Sequence, residues 1–159
     1  MAVILQRDLK NRALKAMIDE LTYYGERVIQ EAYNTRDFTN RTYNLRDSYG
    51  SAVYYDGKMV NGTLRTLGNP MATEGKKWHG ETLHGRKEVT NYLKNEYKPT
   101  SKGLSLVVVA AMPYREQLEL KYKYRVISGA NWMMRSLADT FAGKFGVRKS
   151  GITINNIEI

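Results

Sequence analysis

The sequence predicts an α+β fold in which a long N-terminal helix and a C-terminal helix pack on a small, mostly antiparallel β-sheet. Three features support this: a helical apolar period over residues 7–33, a valine-rich run at 104–112, and two β-prone runs joined by Asp56-Gly57. Such periods and runs are the main sequence signals of helices and buried strands. All 159 residues are expected to form a single domain, because a chain of this length is too short for two large cores.

The predicted N-terminal helix has one continuous apolar face when about 100° is allowed per residue. Its members are Ala13, Leu14, Met17, Ile18, Leu21, Tyr24, Gly25, Val28, Ile29 and Ala32. A glycine within a helix costs about 1 kcal/mol relative to alanine. We therefore expect another backbone to approach closely at Gly25, with a kink as the alternative.

The run at 104–112 predicts a buried strand that Pro113 ends. Because its apolar residues do not alternate with polar ones, both faces should be covered, with helices on one side and other chain or another subunit on the other. Asp56-Gly57 suits a tight type I′ turn, so residues 51–60 should form a hairpin.

The stretch 65–85 is rich in glycine and is expected to be a long functional or disordered loop. Its cluster Lys76-Lys77-Trp78-His79 would suit nucleic acid or a protein partner, and a solvated mobile loop is the alternative. A second helix should follow over 86–97 and stop before Pro99.

Alternating basic and aromatic residues at 121–125 predict a half-buried strand with Tyr122 and Tyr124 on one face. A third helix is expected over 128–145, with Ser128 as its N-cap. Trp132 falls on its polar face beside Arg135, either as an anchor for another chain or under a loop. Residues 152–159 predict a last strand, which could pair with a neighbouring subunit.

The composition restricts the possible functions. The chain carries 25 Lys and Arg against 16 Asp and Glu, a formal charge of +9, which favours polyanions or acidic protein surfaces. It contains no cysteine, which suits assembly in a reducing cytosol. No run approaches the roughly 20 apolar residues of a membrane span, and the apolar start is too short for a signal peptide, so no membrane association or export is expected.

The search for chemistry yields no candidate. His79 and His84 are the two histidines, and their spacing of five does not match a helical zinc site. Tyr114-Arg115 is an adjacent pair too weak to indicate a nucleophile. We therefore predict no catalytic, metal or cofactor site, and a protein that is not an enzyme.

Several short motifs resemble the tail-completion or head–tail connector proteins of tailed bacteriophages. They are Asn44-Leu45-Arg46-Asp47-Ser48 before a hairpin, Met112-Pro113-Tyr114 after the apolar strand, and the aromatic-led helix start at 132–137. The order of the predicted elements is also similar to that family. Tyr43 stands where the family usually has glycine.

The resemblance implies a virion protein, assembled in the host cytoplasm, that forms a homo-oligomeric ring in the neck. Its expected neighbours are the portal, adaptor or head-completion and tail proteins, and non-specifically the double-stranded DNA of the channel. The expected interface residues are Trp132, Arg135, Tyr114 and Arg46. Loop 65–85 should reach an adjacent subunit or ring. Expected loop-contact or DNA-facing residues are Lys76, Lys77, Trp78, Lys121, Lys123 and Arg125. The alternative is a basic nucleic-acid-binding domain that uses this same basic and aromatic set.

Overall fold

A computed structural model describes residues 2–100 and 102–148, with side chains from residue 8 onward. The helices are α1 (Ala2–Asn34), α2 (Asn44–Asp47), α3 (Gly85–Asn91) and α4 (Asn131–Phe145). The strands are β1 (Tyr49–Tyr55), β2 (Lys58–Met59), β3 (Arg65–Thr66), β4 (Lys76–Trp78), β5 (Glu81–Leu83) and β6 (Leu104–Ala110). Shorter helical turns occur at Tyr92–Glu96, Gln117–Lys121 and Ser128–Ala130.

The main sheet is built around β1. β2 and β3 pair with the two ends of one edge of β1, and β6 pairs with its whole other edge, from Tyr49 opposite Ala110 to Tyr55 opposite Leu104. All of these pairs are antiparallel, and β4 and β5 form a separate hairpin. Asp56 and Gly57 both have positive φ angles, 48° and 80°, as a type I′ turn requires. The predicted α+β class and the predicted hairpin are confirmed.

Helices cover both faces of this sheet. One core cluster joins Tyr49 and Ala110 to buried residues of α1 and α4, and the other joins Ala52, Tyr54 and the alternate valines of β6 to α3. The two buried tyrosines of β1 have bonded hydroxyls: Tyr49 donates to the Val126 carbonyl and Tyr54 to the Leu93 carbonyl. The expectation that both faces of the 104–112 run are covered is confirmed.

The predicted close contact at Gly25 is confirmed as a packing contact, but side chains rather than another backbone make it. A Cβ atom there would lie 2.4 Å from Ser51 Oγ and 3.1 Å from Leu106 Cδ1. α1 therefore crosses the sheet at Gly25, between β1 and β6, where only a missing side chain permits the approach.

The predicted strand at 121–125 is wrong. Glu119 accepts hydrogen bonds from the backbone N–H groups of Val126, Ile127 and Ser128 at 2.7 to 3.0 Å. The N–H of Arg125 donates to Asp37 at 2.6 Å. Within the segment itself, the N–H of Tyr122 donates to the Gln117 carbonyl at 3.2 Å and that of Tyr124 to the Leu118 carbonyl at 2.9 Å. These local bonds and that of Arg125 leave few donors for a strand ladder, and Lys123 takes a positive φ of 60°.

The remaining predicted elements differ from the structure in their bounds or their composition. The segment 65–85 holds β3, β4 and β5 and is not a plain loop. The predicted helix 86–97 is α3 followed by the turn at Tyr92–Glu96. α4 begins at Asn131, and Ser128 makes no side-chain cap bond, since it opens the short turn before the helix. The predicted strand 152–159 lies outside the described residues.

Candidate partner-binding surfaces

The turn at 43–48 fixes the segment 65–85. Asn44 is fully buried, its side-chain NH₂ donates to the Glu74 carbonyl at 2.7 Å, and its amide oxygen accepts the Gly85 N–H at 3.0 Å. A Cβ atom at residue 85 would lie 1.9 Å from the Asn44 carbonyl oxygen. The Asn44 side chain thus holds both ends of the β4–β5 hairpin, and only glycine fits at residue 85.

Asp47 and Arg46 also hold this segment, and we call the three side chains of Asn44, Arg46 and Asp47 the clamp. The buried Asp47 carboxylate accepts the N–H groups of Met71 and Ala72 at 2.8 Å each and a hydrogen bond from Arg46 at 2.6 Å. Arg46 also donates to the Asn69 carbonyl at 3.1 Å, and its side chain is 13% exposed. The structure therefore places Arg46, predicted as an interface residue, inside the protomer.

The left-handed backbone at Tyr43 starts this turn. Its φ is 58°, a conformation that glycine adopts without strain and that a bulky residue adopts at a cost of order 1 kcal/mol. That geometry gives a physical reason for the glycine usual in proteins with a similar turn. Here the Tyr43 ring lines a groove.

Six aromatic rings surround that groove, which has a volume of about 520 Å³. We call it the aromatic groove; its rings belong to Phe38, Tyr43, Trp78, Tyr114, Tyr122 and Tyr124. The centroids of Trp78 and Tyr114 are 5.6 Å apart. Burial raises the pKa of Tyr114 to about 12, so its hydroxyl stays protonated at neutral pH. The predicted sites Trp78 and Tyr114 thus lie together, which no sequence pattern indicated because they are 36 residues apart.

The groove is basic. Arg41 and Lys76 line it, and no acidic residue is among the described residues that do so. Lys77, Lys121 and Lys123 are exposed on the two segments beside it. Arg125 is committed elsewhere, because its guanidinium pairs with Asp37 at 3.0 Å. Of the predicted loop-contact or DNA-facing set, Lys76 and Trp78 therefore line the groove, Lys77, Lys121 and Lys123 are exposed on the segments that flank it, and Arg125 is tied to its own chain.

Strained backbone also borders the groove. Four described residues other than glycine have positive φ angles, and Asp56 belongs to the hairpin turn. His79 likewise belongs to a turn, the two-residue connection between β4 and β5. The other two border the groove, because Tyr43 lines it and Lys123 separates Tyr122 from Tyr124. Strained backbone often accompanies binding surfaces, which marks this groove as a candidate.

Trp132 and Arg135 lie on the outer face of α4, away from the groove-lining residues. Trp132 is 60% exposed, which confirms that it sits on the polar face without a covering loop. α4 begins beside the C-terminal end of α1, since a Cβ atom at Gly129 would lie 2.4 Å from Thr35 Oγ1. A tryptophan exposed to this degree is a typical anchor for another chain.

A second exposed apolar surface is the N-terminal half of α1. From Asp8 to Glu20 no residue is buried, and Leu9 is 66% exposed. The predicted apolar face is buried only from about Leu21 onward, and its earlier members, including Ala13 and Leu14, have little or no cover. We call Asp8 to Glu20 the α1 arm. Met17 packs against the core cluster and Glu20 pairs with Lys144. The part of this apolar face without a partner in the protomer therefore lies toward the start of the arm, where Leu9 and Ala13 are exposed.

The described residues contain no group of His, Asp and Glu side chains placed to hold a metal ion. None of the described helices is long and apolar enough to cross a membrane. No known protein family, curated protein or solved structure matches this chain. Functional inference therefore rests on the surfaces described above and on the motif resemblance.

Proposed function

We propose that this chain is a structural protein of a phage virion that forms an oligomeric ring in the neck, joins the portal and head to the tail, and continues the DNA channel. The observation that supports this most directly is the pair of apolar surfaces on one protomer. Leu9 of the α1 arm and Thr35, beside which α4 and its Trp132 begin, are about 39 Å apart along the helix axis at 1.5 Å per residue.

Two different surfaces at opposite ends of a molecule suit a head-to-tail contact. A two-fold dimer buries the same patch of each subunit, whereas a ring joins one patch to a different patch of the next copy. The arm's apolar face and the Trp132 face are unlike each other in sequence and shape, so each needs a partner surface other than itself. In a closed ring, the arm's apolar face and the Trp132 face of every subunit each have a partner surface.

The motif resemblance agrees with this proposal. The turn at 43–48 lies between the long helix and the central strand, and its Asn44, Arg46 and Asp47 side chains hold the following segment in place. The clamp thus gives the motif a structural role that any member with the same turn would need.

Replacing Trp132 with alanine tests the ring. We expect the variant to remain a folded monomer by circular dichroism and to form no rings by negative-stain microscopy and light scattering, because the apolar anchor is gone. Tyr55→Ala is the matched control, since Tyr55 is 42% exposed on the β1–β2 hairpin. Rings formed by Trp132→Ala as readily as by the wild type would refute the proposal.

One observation favours a second candidate, a nucleic-acid-binding domain. Tyr122 and Tyr124 are exposed, stack at 6.3 Å with 22° between their planes, and alternate with Lys121 and Lys123. Exposed aromatic platforms beside cations suit unpaired bases. This function predicts tight binding of a labelled single strand that weakens steeply between about 50 and 200 mM salt. Weak binding with a shallow salt dependence would exclude it.

A further inference from the structure

The outer edge of β6 offers a row of backbone groups without partners. The Ala111 N–H donates to Ser48 at 3.1 Å, and the Asp56 N–H donates to Gly103 at 3.0 Å. With the one-to-one register of β1 and β6, the odd-numbered residues of β6 therefore bond to β1. The N–H and C=O groups of the even-numbered residues point away from β1, and within residues 2–100 and 102–148 none has a backbone partner. They are Leu104, Leu106, Val108 and Ala110.

β6 has none of the usual devices that protect an edge strand. It is seven residues long and contains no charged residue and no proline, and its pairing with β1 has no bulge. The strands at the other edge, β2 and β3, have only two residues each. A long, apolar and regular edge is a template for another strand. We therefore expect the native protein to cover it.

The path of the chain after β6 indicates where a covering strand comes from. Gly25 of α1 lies beside Ser51 and Leu106. The ring of Tyr33 contacts that of Tyr49 edge to face, and Tyr49 pairs with Ala110. β6 therefore runs in the same direction as α1.

α4 returns in the opposite direction. It begins beside Thr35, Phe141 packs on Tyr24 at 6.4 Å, and Lys144 pairs with Glu20 at 2.6 Å. α4 thus ends near the level at which β6 begins. β6 and α4 therefore form the first two elements of a β-α-β unit, a strand and a helix that returns to the level of the strand's start. The third element of such a unit is a second strand parallel to the first.

We propose that residues 152–159 of the same chain pair with the outer edge of β6, parallel to it. The segment has the composition of a strand, with Ile152, Thr153, Ile154, Ile157 and Ile159 among its eight residues. It follows Arg148 by four residues, which span up to about 13 Å when extended. This inference goes beyond the ring proposal and does not depend on it, since it concerns one protomer.

Amide hydrogen exchange of the full-length protein, measured residue by residue by NMR, tests the pairing. The amides of Leu106 and Val108 should exchange at least about tenfold more slowly than exposed amides, although no described backbone group accepts a hydrogen bond from them. Ala110 is not diagnostic, because it is 1% exposed and burial alone slows its exchange. Ser105, Val107 and Val109 are the internal control, because their N–H groups face β1 and should be protected in every case.

Two adjacent proline substitutions sharpen the test. Neighbouring residues of a strand point their N–H groups in opposite directions, so Thr153→Pro and Ile154→Pro should differ. The variant that removes an N–H pointing toward β6 should lose the protection of the even-numbered amides of β6. The other variant should keep most of that protection. In both variants the odd-numbered amides should stay protected, which shows that the sheet is intact.

Two results would overturn the proposal. Even-numbered amides that exchange freely in the wild-type protein would show an open edge. Protection that disappears on dilution, together with dissociation of an oligomer, would show that a neighbouring copy supplies the strand. Protection that is independent of concentration and sensitive to one of the two prolines supports pairing within the chain.

Discussion

The two halves of α1 have the same apolar period but opposite surroundings. From Leu21 onward the helix lies across β1 and β6 and beside α4, and Tyr24, Val28, Ile29 and Ala32 are at most 3% exposed. From Asp8 to Glu20 the same face has no comparable cover. An amphipathic pattern therefore shows which face of a helix makes apolar contacts, but not whether those contacts are within the chain or with another molecule. The structure distinguishes the two cases.

The largest expected difference between the halves comes from deleting a large side chain in each. Ile29→Ala should lower the free energy of unfolding by about 3 kcal/mol, because Ile29 is 1% exposed and its removal leaves a cavity. Leu9→Ala should change it by less than about 0.5 kcal/mol, since Leu9 is 66% exposed. Urea denaturation of the monomers measures both. An equal loss in the two variants would mean that the arm packs within its own chain.

A smaller difference is expected for two glycine-to-alanine changes. Gly25→Ala should destabilise the protein by about 2 kcal/mol, because the new Cβ would meet the Cβ of Ser51 at 2.9 Å as well as its hydroxyl. Gly143→Ala in α4 is the matched control, since its Cβ would meet nothing within 4 Å. That variant should gain about 0.5 to 1 kcal/mol from helix propensity. Shifts of the same sign in thermal denaturation would contradict the crossing at Gly25.

The smallest effect is expected at the boundary between the halves, where Lys144 of α4 pairs with Glu20. The hydrogen bond from Lys144, with its positive charge, holds the pKa of Glu20 below its ordinary value of 4.5. The pair therefore stabilises the fold above about pH 4.5, and this contribution is lost as the pH falls through the lowered pKa. Because both side chains are partly exposed, the contribution should be under about 0.5 kcal/mol.

Lys144→Met checks this pair. NMR titration of the Glu20 carboxyl group should give a midpoint that rises toward 4.5 in the variant. Lys15→Met is the control: it removes the exposed Lys15–Asp19 pair of the arm and should leave the Glu20 midpoint unchanged. A Glu20 midpoint that is the same in the wild type and in Lys144→Met would show that α4 does not dock on α1 at this level.

Features set by neighbouring residues could be predicted from the sequence. The helical period of α1, the turn at Asp56-Gly57 and the valine run of β6 all depend on local chemistry, and each lies where it was expected. Gly25 was identifiable because an unfavourable helix residue on an apolar face needs a compensating contact. The position of Trp132 on the polar face was predictable in the same way, whereas its exposure was one of two alternatives that the structure decides at 60%.

Features set by distant side chains could not be predicted. The alternation at 121–125 is typical of a strand, but Glu119 and Asp37 take four of the following backbone N–H groups. Arg46 looks like a free surface cation until Asp47 and Asn69 are placed beside it. The aromatic groove joins rings from three separate segments, 38–45, 76–78 and 114–124. Pairings of this kind depend on tertiary structure, for which a single sequence holds little signal.

The clamp at Asn44 has a practical consequence for the β4–β5 hairpin. Because one amide fixes both Glu74 and Gly85, the ends of this hairpin stay together whatever lies between them. At its tip, Gly80 has a positive φ of 86°, and a Cβ atom added there would have no neighbour within 4 Å. Foreign sequence, such as an epitope tag or a small fluorescent reporter, should therefore be tolerated at this tip. The protein therefore carries a natural attachment point for a label that leaves its fold intact.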